Sequence, residues 1–449
     1  MKLTFFGGAK SVTGANYLLE HEDLKILVEC GMFQGLEFVD DANYLDFHYN
    51  PADIDYLFVT HSHTDHIGRI PKLVRDGFRG KIIACKPTVG LTQLSLRDSV
   101  RIIAEEAKRL GKDPFFEMQD VEATDKYFVE HTYGEAFDLK GKGEVRLYSA
   151  GHILGSTMYK FYLGDKVISF TGDLGNSPAP LIGPPDQLGK TDYLIIESAY
   201  GDREHEPAEL GEEMLKKVVV ETINRGGVLM IPSFAMERTQ ILLFYLNNLI
   251  ENNEIPQVPI YVDSPLAQKI TKVYKKFDEY FKESVQYQIS TGDQIFDFPG
   301  LKMTGSVRES KEINEQEGPK IIIAGNGMST AGRILHHEKR YLQDKKNSIL
   351  FVGYQVKNSI GRQILDKKKK VKIHGEEIPV KAQVHQISSM SAHADQSQLL
   401  DFVKNNVEGK PKKIFVVQGD ENAAWQLAQE LNDLGYDALA PDYKDEFEL

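Results

Sequence analysis

Three histidines and an aspartate fall within six consecutive positions of HSHTDHIGR, His61 to Arg69, directly after the apolar run YLFVT. Imidazole nitrogen and carboxylate oxygen are ligands that zinc prefers, at about 2.0–2.2 Å, and a catalytic site keeps one position open for water. In an extended or looping segment His61 and His63, two residues apart, project to the same side. Asp65 and His66 follow where the chain turns into a helix, so all four can converge on one small volume. A polar helix-entry turn whose histidines only hydrogen-bond is the competing reading. It would be preferred for one histidine; H-x-H-x-D-H behind a buried strand favours metal.

Two further residues join this set. His152 lies among glycines in YSAGHILGST, and Asp173 follows a strand in ISFTGDLG. The flanking glycines let backbone come close to an ion. A carboxylate such as Asp173 can bridge two cations better than a neutral imidazole can. Two metals about 3.5–4 Å apart would activate a shared water and stabilise the leaving oxygen of a phosphodiester.

The elements that must position these groups read as α/β. DYLFVT, VISFTGD, DYLIIES, GVLMIPS, PKIIIAG, SILFVGY and KKIFVVQG are short buried strands by pattern. Helical spacing runs through DHIGRIPKLVRDG (Ile67, Ile70, Leu73, Val74), with Asp65 as the expected N-cap and Gly77 as the stop. ELGEEMLKKVVVETINRGG and RTQILLFYLNNLIENN are helical in the same way. Such alternation means α/β layers, whose strand ends are where loops converge to build sites. Thr60 leads into His61, Phe170 toward Asp173 and Ile196 into Glu197. The lysines of 367–370, with Lys372, are expected to cap a hairpin in solvent.

With 449 residues the chain has room for two or three domains and large cores. It is 41% apolar and 27% charged, without low-complexity tracts or an apolar run long enough for a membrane helix. The start, MKLTFFGGAK, has too short an apolar core for a secretory signal. Two cysteines, Cys30 and Cys85, exclude a disulfide framework and a Cys-rich zinc module, and a cytoplasmic protein is expected. The net charge of −13 excludes a chain basic all over, but a nucleic-acid path needs only a local basic groove.

H-x-H-x-D-H, a distant Gly-His, and T-G-D after a strand together resemble the metallo-β-lactamase superfamily. Downstream, IESAYGDREH, SMSAHADQ, IPSFAMERTQILL, YVDSPLA and GNGMSTAGRILHH are similar, in order, to its β-CASP branch. The likeness extends from FFGGAKSVTGANYLL to the final FEL. It implies a metallo-β-lactamase fold, an αββα sandwich, interrupted by an inserted α/β β-CASP domain. The expected division is 1–204 and 361–449 for the metallo-β-lactamase-like part and 205–360 for the insert. By the same resemblance His61, His63 and His152 hold one zinc, Asp65 and His66 a second, and Asp173 bridges them. Asp65, Glu197 and His393 are the implied catalytic residues, His393 acting as general acid or phosphate orienter with its imidazole fixed by Glu197. An imidazole titrating near neutrality suits that task. Taken alone, Glu197 is equally a turn-capping carboxylate and His393 a helix-entry residue. Arg238 and Arg333 are candidate substrate contacts, since guanidinium fits phosphate, although either can instead pair with a carboxylate. His336 and His337 are adjacent on a helix, cannot both face one site, and are read as structural or cleft-lining.

Two positions depart from the family pattern. In FVVQGDENA a glutamine, Gln418, stands where the branch normally has a histidine that completes the second metal shell. A neutral amide oxygen is the weaker zinc ligand, so two zinc ions are expected with the second weak or replaced by manganese or magnesium. In LVECGMFQG, Glu29 replaces the usual aspartate, outside the ligand set at most.

The function implied is a metal-dependent ribonuclease that cuts single-stranded RNA, endonucleolytically in preference to 5′ exonucleolytically, with a cleft between the domains for the strand. RNA is the expected partner, with a homodimer allowed and no membrane. The chain has no room for an added C-terminal or KH-type N-terminal domain, so a compact stand-alone form is expected. The alternatives are a thioester or lactam hydrolase using the same metal pair, and an RNA-binding protein impaired by Gln418.

Overall fold

A computed structural model of the chain describes residues 1–35, 41–207, 209–353, 355–356 and 358–449. It resolves into two compact units, Met1–Glu204 with Ala392–Leu449, and His205–Ser391.

The first unit is built on two seven-stranded sheets among the described residues. In one, the strands run Glu446–Glu448, Lys2–Phe5, Tyr17–His21, Leu24–Val28, Tyr56–Phe58, Lys81–Cys85 and Phe128–His131 from edge to edge. In the other the order is Ala438–Leu439, Lys413–Val417, Tyr193–Glu197, Lys166–Phe170, Thr157–Leu163, Gly143–Ser149 and Ala136–Asp138. Their inner faces share one core, where Phe5, Tyr17, Leu19, Ile26 and Phe58 meet Tyr159, Phe161, Phe170, Ile195 and Phe415. Each such fully buried aromatic or aliphatic side chain contributes about 1.5–3 kcal/mol. Helices Ile70–Arg75, Lys86–Leu110 and Met118–Thr124 cover the outer face of the first sheet, and Gln396–Asn405 and Glu421–Asp433 that of the second. Helix, sheet, sheet, helix is the αββα order expected.

One tie between the sheets bears directly on the site. The buried Tyr159 hydroxyl lies 2.8 Å from the Val59 carbonyl and 3.1 Å from that of Ile83, joining the second sheet to the strand ends of the first. Val59 is two residues before His61, so the loop carrying the histidines starts from an anchored point.

The second unit is built, among the described residues, on a six-stranded parallel sheet ordered Leu301–Met303, Ile260–Asp263, Lys320–Ala324, Val228–Pro232, Ser348–Phe351 and Gln383–Gln386. Here the structure differs from the expected return at 361. Gln383–Gln386 pairs in parallel with Ser348–Phe351, and the hairpin Lys370–Ile373/Glu376–Pro379 buries Val371, Ile373 and Ile378 in this unit's core. Residues 361–391 therefore pack with the second unit. The lysine run does not cap that hairpin: Lys370 and Lys372 lie in its first strand, and the turn is made by His374 and Gly375.

Candidate metal centre

The stretch from 61 to 66 is a loop that enters the short helix Thr64–Ile67. Its N-cap is His63, in extended conformation, and not Asp65, which sits in the first turn. The backbone is pinned by segments flanking the neighbouring strands: Ala15 N–H donates to the Asp65 carbonyl at 3.0 Å, Met32 N–H to Thr64 at 3.0 Å and Cys30 N–H to His66 at 2.8 Å. A Cβ at position 31 would collide with the Asp65 carbonyl, so Gly31 is what permits this approach.

Four ligand atoms converge here. His61 Nε2 is 3.0 Å from His63 Nδ1, which is 3.3 Å from His152 Nε2. Asp173 Oδ2 lies 3.3 Å from His61 Nε2 and 3.7 Å from His152 Nε2. Ligands about 2.0–2.1 Å from a tetrahedral zinc stand about 3.3–3.4 Å from one another, so these spacings fit such an ion. The opposite ring nitrogens are committed elsewhere: His61 Nδ1 faces Thr60 Oγ1 at 3.0 Å, and His152 Nδ1 the Ala392 carbonyl at 3.1 Å. Each partner turns a lone pair inward. Burial, then the neighbouring His66, holds the His61 pKa down to about 4. Burial also pushes His63 and His152 well below the usual range. Neutral imidazole is the form that binds metal.

A second group adjoins the first. Asp173 Oδ1, buried and without a hydrogen-bond partner among the described residues, lies 3.3 Å from His66 Nε2, and Asp65 Oδ2 is 3.5 Å from the same nitrogen. One carboxylate thus faces both groups. Burial disfavours charge on His66, but the carboxylates of Asp173, Asp65 and Glu29 raise its pKa well above the usual value. Glu29 is closer to the centre than its place in the sequence suggests. Its Oε1 is 3.2 Å from His66 Nδ1, and it accepts the Thr60 N–H at 3.2 Å. At Gln418 it is the amide nitrogen, not the carbonyl oxygen, that faces His66 Nε2, at 2.9 Å.

Beside these, His393 is held by strand ends far away in the chain. Its backbone bridges Gly175, and Ala394 N–H donates to the Leu174 carbonyl at 2.8 Å. Glu197 closes the strand Tyr193–Glu197 and accepts N–H bonds from Leu174 at 2.5 Å and Ala199 at 3.3 Å. Its Oε2 lies 3.2 Å from His393 Nδ1, which is 3.9 Å from Asp173 Oδ2. Burial opposes charge on His393, yet Glu197 and then Asp173 hold its pKa up to about 9. The side chain is 27% exposed and that of Asp65 22%, so the centre is open to solvent at both.

Of the remaining candidates, Arg333 is already taken. Its guanidinium binds Asp263 at 2.6 Å and the carbonyls of Thr304 and Gly305, within the second unit. His337 is buried against the same carboxylate at 2.8 Å, whereas His336 is exposed and packs on His374. Arg238 begins the helix Arg238–Glu251, buried, with Glu237 3.6 Å away. Sequence reasoning missed Tyr17, whose buried hydroxyl lies at the edge of the second group, and Tyr200, whose ring is 6.0 Å from that of His393. Tyr17 carries no motif signal, being one more aromatic in a strand.

Three family descriptions match along the chain: the metallo-β-lactamase superfamily over residues 12–210, the Beta-Casp domain over 239–364, and the Zn-dependent metallo-hydrolase RNA specificity domain over 377–441. Ribonuclease TTHA0252 of Thermus thermophilus is 35% identical over 429 residues, covering 96% of this chain and 95% of the relative. The chain belongs to the β-CASP family of the metallo-β-lactamase superfamily. Transcription termination factor FttA of Methanocaldococcus jannaschii is 30% identical over 439 residues, 95% of this chain and 68% of that one. A crystal structure of an Enterococcus faecalis V583 protein of unknown function shares the fold, with a TM-score of 0.61 over 100% of this chain and 99% of that one, at 14% identity. This β-CASP protein is thus of a metallo-hydrolase fold, with its histidine and aspartate groups in the first unit. Among the described residues no helix is long and apolar enough to cross a membrane.

Proposed function

We propose that this protein is a zinc-dependent ribonuclease that hydrolyses internal phosphodiester bonds of single-stranded RNA. The observation that carries the reading is the zinc-sized set of His61, His63, His152 and Asp173 directly beside the Glu197–His393 pair. Zinc so held supplies Lewis-acid stabilisation of phosphoryl oxygen and a water acidified toward neutral pH. Asp65, partly open to solvent, orients the attacking water. His393, kept protonated by Glu197, donates its proton to the leaving alkoxide. Asp65, His66 and the second oxygen of Asp173 offer a further, weaker cation place, suited to zinc, manganese or magnesium. Arg238 is the candidate contact for a backbone phosphate; Arg333 is not, because Asp263 occupies it. A reducing, cytoplasmic setting agrees with Cys30 and Cys85, both buried and outside any disulfide. The names of the relatives, a ribonuclease and a transcription termination factor, support RNA as substrate over a small thioester or lactam.

The test is cleavage of a 5′-labelled single-stranded RNA on a denaturing gel, with the wild type beside His63→Ala, with and without chelator. Internal cuts lost in both controls are expected. Release of the label as a mononucleotide, without longer labelled fragments, would make the enzyme a 5′ exonuclease. No cleavage with zinc, manganese or magnesium would remove the nuclease reading.

A further inference from the structure

The Gln418 side chain is placed by its own backbone. The residue adopts φ 51°, in the left-handed region, and its N–H donates to the Gly8 carbonyl at 2.7 Å. From there the amide nitrogen donates to the Val12 carbonyl at 3.4 Å and lies 2.9 Å from His66 Nε2. The Val12 carbonyl decides which end of the amide lies on this side, since an amide oxygen there would face another oxygen. Gln418 Oε1 is consequently turned the other way, fully buried and without a hydrogen-bond partner among the described residues.

Tyr17 Oη is the second orphan. It too is fully buried and without a partner among the described residues, and a Cβ on Gly8 would run into both it and Gln418 Oε1. The two atoms lie 2.3 Å and 2.4 Å from the point where that Cβ would stand, near enough to each other for one water to join them. Burial, then the nearby carboxylates of Glu29, Asp173 and Asp65, raises the phenol pKa well above its usual value, so it stays an O–H donor. A chain of polar groups results: Glu29 carboxylate, His66 imidazole, Gln418 amide, Tyr17 hydroxyl.

We propose that the Gln418 amide, held by the Val12 carbonyl and the Tyr17 hydroxyl, is a plug on His66 and not a ligand of a second ion. Its NH2 group stands 2.9 Å from Nε2, where a divalent cation bound by Asp65, His66 and Asp173 would sit, and an N–H group cannot coordinate a cation. The inference rests on the metal-centre reading above and deepens it. The first ion binds without hindrance; a second enters only by breaking the bond to the Val12 carbonyl and turning the amide away from Nε2.

The experiment is calorimetric titration of metal-stripped protein with zinc alone, then manganese alone, for the wild type, Gln418→Ala and the isosteric Tyr17→Phe. First-ion affinity is expected to be unchanged in all three. The second ion should bind about five- to ten-fold tighter in Gln418→Ala, the worth of one hydrogen bond, with a smaller gain in Tyr17→Phe. A second ion bound more weakly by Gln418→Ala would make the amide a ligand and overturn the plug. Unchanged second-ion affinity in both variants would overturn it equally. Tyr17→Phe removes one oxygen from a buried ring, so it reports even if the alanine variant misfolds. Absence of any bound ion in the wild type is a different result, which would bring down the metal-centre reading itself.

Discussion

His393 Nδ1 lies 3.2 Å from Glu197 Oε2, although 196 residues separate the two in the chain. That contact keeps the imidazole charged and points its other nitrogen away from the carboxylate. His393→Ala is expected to lower kcat by about 10²–10⁴-fold, the usual worth of a positioned general acid. Glu197→Gln should lose less and should move the alkaline limb of the kcat profile to lower pH. The sign follows from the carboxylate: without its charge the imidazolium gives up its proton more readily. RNA cleavage measured across pH, with bound zinc counted in parallel, checks both, and zinc content should not change.

Replacing His61 or His152 by alanine removes one corner of the four-donor set. Zinc should be lost together with cleavage, and the thermal midpoint should no longer rise on adding zinc. In the wild type that rise is expected because the ion binds the folded protein alone. Metal analysis and a melting curve with and without chelator test this without any RNA present.

Asp263 is fully buried in the second unit and receives His337 at 2.8 Å, Arg333 at 2.6 Å, Thr304 Oγ1 at 2.6 Å and Ser310 Oγ at 2.6 Å. Burial opposes its charge, but His337 and the other donors hold its pKa well below the carboxylate range. Asp263→Ala strands those donors and should destabilise the protein by about 3–5 kcal/mol, as removing one partner of a buried ion pair does. Urea unfolding followed by circular dichroism reads this. A loss no larger than that of a surface substitution would show the network to be without structural weight.

Glu338 is buried in the same unit, accepts the Ser329 hydroxyl, and has its pKa pushed up by burial to about 8 from its ordinary 4.5. Between those two pH values the folded chain binds a proton that the unfolded chain releases. Stability from this group is complete below about pH 4.5 and is lost as pH rises through about 8. Glu338→Gln should therefore flatten the decline in unfolding midpoint between pH 5 and pH 8.5, with the wild type and the variant compared in parallel. An identical slope in both would show that Glu338 is ionised throughout.

The strands DYLFVT, DYLIIES and KKIFVVQG were legible because an apolar β-branched run bounded by polar residues has one economical fate, a buried strand, whatever surrounds it. The extent of the second unit was not. The segment after residue 360 is ordinary in composition, and only the pairing of Gln383–Gln386 with Ser348–Phe351 assigns it. Asp65 as N-cap failed for a local reason: the helix begins two residues early, because backbone bonds from Ala15, Met32 and Cys30 draw the histidine loop tight.

By itself, then, the sequence determined that His61, His63, Asp65 and His66 share one small volume, since spacing along a loop is a local property. It also determined that the chain forms α/β layers, since hydrophobic period is local too. The tertiary structure decided what no spacing encodes. It set His152 and Asp173 at ligand distances from that loop, placed Glu197 under His393, and brought Glu29 and Gln418 to opposite nitrogens of the His66 ring. It also turned the Gln418 amide nitrogen inward, through the Val12 carbonyl from the other end of the chain. Those relationships arise where the ends of two packed sheets meet, and they depend on strand order and register that only the folded chain possesses.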